Sequence, residues 1–382
     1  MKTINLFGLL SGEYEPGASD TNVPDFAYSP LNQLGQLYTP IIDRQFLKTG
    51  HSKPVWPEGK PFVVCLTHDV DAVSDLNLWQ NIRFIKKILK TAPNRSIGES
   101  LRLILEHKLL ALRGLLGQSD SLCKFENWLD MEAKYGAHST FFFAPDKVNQ
   151  IHSSDCMYRY DQMINFRNKS VSVAELMRTM DQEGWEIGLH PSWNAHADLD
   201  ELVYQKEQVE NILSHPIKSV RQHFLKYDPQ KTHQIQSLAG FKYDSTMGYN
   251  DNLSFRRGTS YPFNCFDLNE GKLLPLLQIP LIVQDGAILA PGKGLRLDPQ
   301  KAVEYILHMA SEVREVGGVL SLSWHPHTRH RPAYFDVYSQ VLALLARENP
   351  WFATVSEIGE WWSSKVDINL LNFTKDLSQS ST

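Results

Sequence analysis

The sequence predicts an α/β protein in which parallel strands, separated by helices, are numerous enough to form a barrel. Three observations carry this expectation. Short apolar runs alternate with helical segments over most of the chain. Several of those runs end in Asp, His or Arg. The bulk composition, 42% hydrophobic and 21% charged over 382 residues, is that of a globular protein with an ample core. The length fits one large domain or two ordinary ones. A net charge of −5 argues against nucleic acid as a partner.

Residues 1–58 are rich in Pro, Gly, Tyr and polar side chains and show little periodicity. They read as an irregular arm packed on the barrel, covering its open seam. The apolar patch within Met1–Leu10 is too short for a signal peptide, and Glu13 and Glu15 stand where a cleavage site of small residues would lie. No stretch approaches the roughly 18 apolar residues of a membrane span, so a soluble cytoplasmic protein is expected. Cys65, Cys123, Cys156 and Cys265 are scattered, which disfavours both a zinc ribbon and a disulfide framework.

The barrel is expected over 59–365, with 366–382 as a C-terminal tail. Its first strand is the run Phe62–Leu66, apolar and partly β-branched, bounded upstream by Pro57 and Pro61. A helical insertion follows at about 74–130. There Ile82, Ile85, Ile88 and Leu89 make one apolar face, and Leu101, Ile104, Leu105, Leu109 and Leu112 make another beyond Pro93. The insertion is locally basic, through residues such as Arg83, Lys86, Lys87 and Lys90. Such helices present a solvated charged face, or else rest on anionic membrane surfaces or grip phosphates. Strands are then expected at His138–Phe143, Trp185–Leu189, Ser219–His223, Phe241–Thr246, Leu276–Leu281 and Val319–Trp324. Helices are expected around 128–135, 173–183, 200–214 and 302–315, with one more ending near Gly240.

Four of these strands end in groups that carry chemistry. The first runs into Thr67-His68-Asp69-Val70-Asp71; the others reach His190, Arg221 with His223, and His325 with His327. Carboxyl ends of parallel strands share one rim, where active sites collect. Burying two carboxylates and an imidazole without partners is costly, so a metal or substrate is expected to compensate them. The chemistry implied is metal-assisted hydrolysis. A divalent ion lowers the pKa of bound water, a free carboxylate takes its proton, and an imidazole opposite protonates the leaving group. An arginine beside the base keeps it ionised. Strand alternation turns His68 away from Asp69, leaving a packing role and a functional one both open. His327 and His330 lie in a Pro-rich loop and read as rim residues.

From about Phe62 to about Trp362 the chain resembles the polysaccharide deacetylases, the NodB-homology or carbohydrate esterase 4 group. Asp69-Val70-Asp71 is similar to their first motif, in a D-x-D variant. Ser139-Thr140-Phe141-Phe142 is similar to their second-strand signature, and Glu186–Ser192 to their second motif. Arg221-Gln222-His223-Phe224 is similar to the third motif, Gln278-Ile279-Pro280-Leu281 weakly to the fourth, and Leu322-Ser323-Trp324-His325 to the fifth. The run Phe255–Phe263 is similar to one in a subgroup often encoded near surface-polysaccharide genes. The resemblance implies a distorted (β/α)7 barrel (NodB-like) with Asp69 as base, Arg221 as its orienting partner and His325 as acid. It also implies Asp71 and His190 as ligands of a divalent metal, zinc with cobalt or nickel as alternatives, and His223, Phe224 and Trp324 as substrate-binding residues. One departure stands out. Where the second motif has a second histidine, four residues after His190, this chain has Asn194. Asn194 is a weaker donor than imidazole, and His196 or His223 are alternatives for the third ligand.

The expected function is removal of an N-acyl group, acetyl above all, from an amino sugar of a surface-polysaccharide, nucleotide-linked or lipid-linked precursor. Peripheral membrane contact is compatible with the basic insertion. Two rivals remain: a metal-independent amide, imide or formyl hydrolase on the same barrel, and a catalytically silent glycan-binding barrel.

Overall fold

The computed structural model describes residues 4–16, 26–73, 105, 123–156, 158–291 and 294–380. The basic helical segments expected between Leu76 and Leu116 lie, apart from Leu105, outside the described residues.

The strands are β1 (Val63–Val70), β2 (Thr140–Phe143), β3 (Met163–Phe166), β4 (Lys169–Ser172), β5 (Glu186–Leu189) and β6 (Ser219–Val220). They continue with β7 (Tyr243–Asp244), β8 (Phe263–Asp267), β9 (Lys272–Gln278), β10 (Val283–Gln284), β11 (Val319–Ser323) and β12 (Trp351–Phe352). One sheet runs β10-β11-β1-β2-β5-β6-β7-β9-β8, with β12 added beside β1, while β3 and β4 form a separate hairpin. Within the large sheet only β8 is antiparallel to its neighbour. β1 extends through the His68–Val70 segment because β2 pairs with those residues, while β11 pairs with Val63–Thr67.

Local chemistry fixes the helices between strands. Ser172 and Glu175 form a reciprocal capping box at the start of Val173–Gln182, and Thr354 with Glu357 does the same for Val355–Lys365. Asp198 caps Leu199–Leu213. Asp298 and Pro299 open the long helix Pro299–Val316, and Gly317, at φ 75°, closes it in the left-handed region.

Strand alternation divides the core in two. On β1, Val64, Leu66 and Val70 pack in the cluster beneath the outer helices, whereas Val63 and Cys65 pack in a second cluster on the opposite face. The same division places Phe141 and Phe143 of β2 outside and Phe142 inside. All three rings are fully buried, each contributing roughly 1.5–3 kcal/mol. β11 follows suit, with Leu320, Leu322 and Trp324 outside and Val319 inside. The inner face therefore carries Thr67, Asp69, Ser323 and His325, in phase with Val63 and Val319. A one-residue slip would turn the polar groups into the outer core. Gly188 of β5 has no room for a side chain: a Cβ there would meet the Phe142 ring at 2.7 Å and Ser219 Oγ at 2.6 Å.

Where 1–58 is expected to be irregular, the structure has three short helices, Leu6–Ser11, Pro30–Gln33 and Ile41–Lys48. They hold the Phe255–Phe263 run. Glu15 receives Arg256 Nε at 3.1 Å and Nη2 at 2.6 Å, with Arg257 Nε 3.2 Å away and the Tyr28 hydroxyl donating at 2.5 Å. Asp43 accepts from the Ser260 amide and hydroxyl, each at 2.7 Å, and from Thr259. That run is thus a socket for the N-terminal segment. Residues 366–382 hold a further helix, Leu370–Ser380, whose Leu370 and Leu371 are buried in the inner cluster with Leu9 and Leu10. Among the described residues no helix is long and apolar enough to cross a membrane.

Candidate active site

Five strands deliver the site. β1 supplies Asp69 and, one residue past its end, Asp71. β5 and β6 end in His190 and in Arg221 with His223. β11 ends in His325, which meets Asp285 just after β10. β6 lies three ladders from β1, about 14 Å in a flat sheet. Yet His223 Nδ1 and His325 Nε2 both lie 3.6 Å from Asp71 carboxylate oxygens, from opposite sides in the strand order. The sheet must curl for this, as a barrel does. Asp69, Asp71, His190, His223, Phe224 and His325 share one pocket of about 250 Å³.

Asp69 is 1% exposed and pairs with Arg221 Nη1 at 2.9 Å. Four of the guanidinium's five N–H groups are engaged: Nη1 also donates to Thr67 Oγ1 at 2.6 Å, Nε to the Ser245 carbonyl at 2.8 Å, and Nη2 to Ser245 Oγ at 2.7 Å. Its underside lies 4.6 Å from the centre of the Phe142 ring, which Gly188 admits. Burial pushes the Asp69 pKa up, but the charges of Arg221, His190 and His325 together outweigh it and hold the carboxylate below its ordinary range. A carboxylate kept ionised and immobile results.

His190 and His223 are oriented from behind by carbonyls. His190 Nδ1 lies 2.8 Å from the Arg221 oxygen, and His223 Nε2 lies 2.8 Å from the Ser154 oxygen. Carbonyls only accept, so these nitrogens carry protons, and each ring in its neutral form turns its lone pair toward the other. His190 Nε2 and His223 Nδ1 are 2.8 Å apart, at 3.3 and 3.6 Å from Asp71 Oδ1. Two lone pairs and a carboxylate repel unless a cation lies among them. The donors all sit within 4.8 Å of one another, and carbonyl-anchored imidazoles with a carboxylate suit a divalent transition metal. The residues fit the ion that the sequence implies. Burial lowers the pKa of His223, which also favours the neutral, ligating form. The Cys156 thiol, 3.8 Å from Asp71 Oδ1, donates to the same carboxylate.

His325 Nδ1 lies 2.6 Å from Asp285 Oδ1, and its backbone N–H donates to the other oxygen at 3.0 Å. Nε2 points toward Asp71, 3.6 Å away. Burial alone would lower the imidazole pKa, but the Asp285 charge and hydrogen bond, with Asp71 and Asp69 behind, raise it to about 10. A cation at Asp71 would cancel part of that rise.

Several expectations need correction. Among the His, Cys, Asp and Glu side chains of the described residues, the group that can hold a metal is Asp71, His190 and His223, without His196. Asn194 sits at the start of a short 3-10 turn, its carbonyl accepting from Ala197, and His196 Nδ1 is engaged by the Trp193 carbonyl at 2.9 Å. His223, expected either to touch substrate or to serve as the third ligand, offers the third donor atom of that group. Trp324 is fully buried on the outer face, its Nε1 donating to the Tyr334 carbonyl, because it is out of phase with His325. His68 is a core residue: its ring bridges the Trp324 carbonyl and Glu132, each at 2.7 Å. Asp285 escaped the sequence reading, which placed the fourth motif at Gln278–Leu281. Its signal is the same one seen elsewhere, a carboxylate just after the apolar run Leu281-Ile282-Val283.

No protein-family model matches the chain, and no curated protein matches it either. Solved structures do. A protein of Mycobacterium smegmatis assigned as a polysaccharide deacetylase superposes with a TM-score of 0.55 at 20% identity, covering 84% of this chain and 96% of that one. The PuuE allantoinase gives 0.54 at 15%, with the same coverage. A Pseudomonas aeruginosa PAO1 protein, also assigned as a polysaccharide deacetylase, gives 0.53 at 13%, covering 83% and 96%. The chain has the NodB-like fold of the polysaccharide deacetylases.

Within the NodB-like fold, this chain carries an Asp-His-His group in which the second imidazole comes from the end of β6. Asp69, the donor group and the His325–Asp285 pair line one cavity, with Arg221 paired to Asp69 beneath it. That arrangement can activate a water between Asp69 and Asp71 and return a proton from His325.

Proposed function

We propose that the protein is a hydrolase that removes an N-acyl group, most simply acetyl, from an amino sugar, with a divalent metal held by Asp71, His190 and His223. The observation that carries this is the convergence of an ionised buried carboxylate, a three-donor metal group and a protonated imidazole on one pocket. When bound, the ion supplies Lewis-acid polarisation of the amide and a more acidic water. Asp69 takes the water's proton, and Arg221 keeps its carboxylate charged and fixed in the pocket. His325, held by Asp285, gives a proton to the departing amine. Phe224 lines the pocket beside His223 and offers a ring for a sugar face. The sugar is proposed to belong to a surface-polysaccharide or lipid-linked precursor, and the cytoplasm is the proposed compartment.

The test is acetate release from N-acetylated amino sugars by zinc-, cobalt- or nickel-loaded protein. Release that vanishes in Asp69→Asn supports the proposal; release unchanged in that variant overturns it. A second reading draws on the allantoinase likeness: a NodB-like barrel that opens cyclic amides. Turnover of such an amide that survives a chelator would favour it. The complete donor group argues the other way, since a metal-free enzyme has no use for two facing lone pairs.

A further inference from the structure

The pocket contains a cation that no carboxylate among the described residues neutralises. Arg331 lines the same cavity as Asp69 and His325. Among the described residues no carboxylate lies within ion-pair distance of its guanidinium; its contacts are the Tyr334 hydroxyl at 3.4 Å and the Tyr334 ring at 5.5 Å. The pocket's own carboxylates are committed elsewhere. Asp69 is taken by Arg221, Asp71 lies among the imidazoles, and Asp285 accepts from His325 and Thr328. Arg331 is also the N-cap residue of the helix Pro332–Ala346, and its side chain makes no capping hydrogen bond to that helix. His327 and Asn250, two further polar side chains, line the same cavity.

We infer that Arg331 reads an oxyanion on the substrate, a phosphate or carboxylate borne by the acylated amino sugar, and thereby sets specificity for anionic glycan units. This rests on the reading of the pocket as an amino-sugar amidase site. The guanidinium fork grips either oxyanion through two parallel hydrogen bonds, and the half-enclosed position strengthens them relative to open water. Arg331 acts in binding and leaves the proton transfers to Asp69 and His325.

The experiment is calorimetric titration of the zinc-loaded full chain with four probes. These are N-acetylglucosamine, N-acetylglucosamine 6-phosphate, N-acetylmuramic acid as the carboxylate form, and inorganic phosphate. Wild type is expected to bind at least one anionic sugar 10-fold or more tightly than the neutral one. Arg331→Gln should erase that preference without changing affinity for the neutral sugar, and Arg331→Lys should restore part of it. Which anionic sugar gains tells phosphate from carboxylate, and binding of inorganic phosphate that ignores Arg331→Gln reports the metal instead. No anionic preference in wild type, or one that persists in Arg331→Gln, overturns the inference. Acetate release from the same probes separates the two claims. Release with no anionic preference sinks Arg331 alone, while an Arg331-dependent preference with no release from any probe sinks the amidase reading alone.

Discussion

His190 Nε2 faces His223 Nδ1 at 2.8 Å, although 33 residues separate them in the chain. Each ring is locked by a main-chain carbonyl behind it, the Arg221 oxygen for one and the Ser154 oxygen for the other. Residue 221 thus contributes twice. Its carbonyl aims a donor at the metal position, while its guanidinium holds Asp69. Base and metal group are therefore coupled through a single residue at the end of β6.

Asp69→Asn is predicted to cost roughly 10²–10⁴ in kcat, because an amide cannot take a proton from water. The same change leaves Arg221 buried without its counter-charge, so it should also lower stability, by about 3–5 kcal/mol if the pair behaves as buried pairs do. Steady-state assays and a thermal melt on one preparation check both halves.

Asp285→Asn is predicted to move the alkaline limb of kcat/KM toward lower pH. His325 must be protonated to act as acid, and Asp285 is the main group raising its pKa to about 10. Without that charge the imidazole titrates nearer its ordinary value, and activity falls at lower pH. A profile from pH 6 to 10 on both proteins would show the shift; coincident profiles would deny Asp285 this role.

Much of the site was legible because of one regularity, apolar runs that end in Asp, His or Arg. Asp69, Asp71, His190, Arg221 and His325 were placed that way, and all five meet at one cavity or directly under it. What resisted was side-chain reach. His223 closes the donor group from a neighbouring strand, while Asn194, at the expected spacing, sits in a 3-10 turn outside that group. Asp285 meets His325 across 40 residues of chain, after a strand only two residues long. Trp324 is adjacent to the acid but out of phase with it, which strand alternation would have revealed had it been counted from Val319. In the fold, the two-residue strands β6, β7, β10 and β12 are too short to carry a period.

Asp43 should impose a pH dependence on stability. Burial raises its pKa to about 7, and the hydrogen bonds from Ser260 and Thr259 only partly offset this. The folded state thus holds this proton more tightly than the unfolded chain does. Its stabilising contribution is full below about pH 4, the ordinary carboxylate value, and is lost as pH rises through about 7. Asp43→Asn should flatten the melting temperature between pH 4 and 8 relative to wild type; parallel curves would contradict this.

Glu132 lies 2.7 Å from His68 Nε2 and accepts from the Tyr338 hydroxyl at 2.7 Å and from Trp185 Nε1 at 3.4 Å, wholly within the outer core. Glu132→Ala is predicted to destabilise by about 3–5 kcal/mol while leaving metal content unchanged. Denaturant unfolding and metal analysis on the folded fraction test that separation of roles.

The central claim is that His223 completes the metal site in place of the residue four after His190. It is tested most directly by the metal content of wild type, His223→Ala and Asn194→Ala after identical loading and desalting. Near-stoichiometric metal in wild type and Asn194→Ala, lost in His223→Ala, is the predicted result. Metal retained by His223→Ala but lost from Asn194→Ala, or absent from all three, would contradict it.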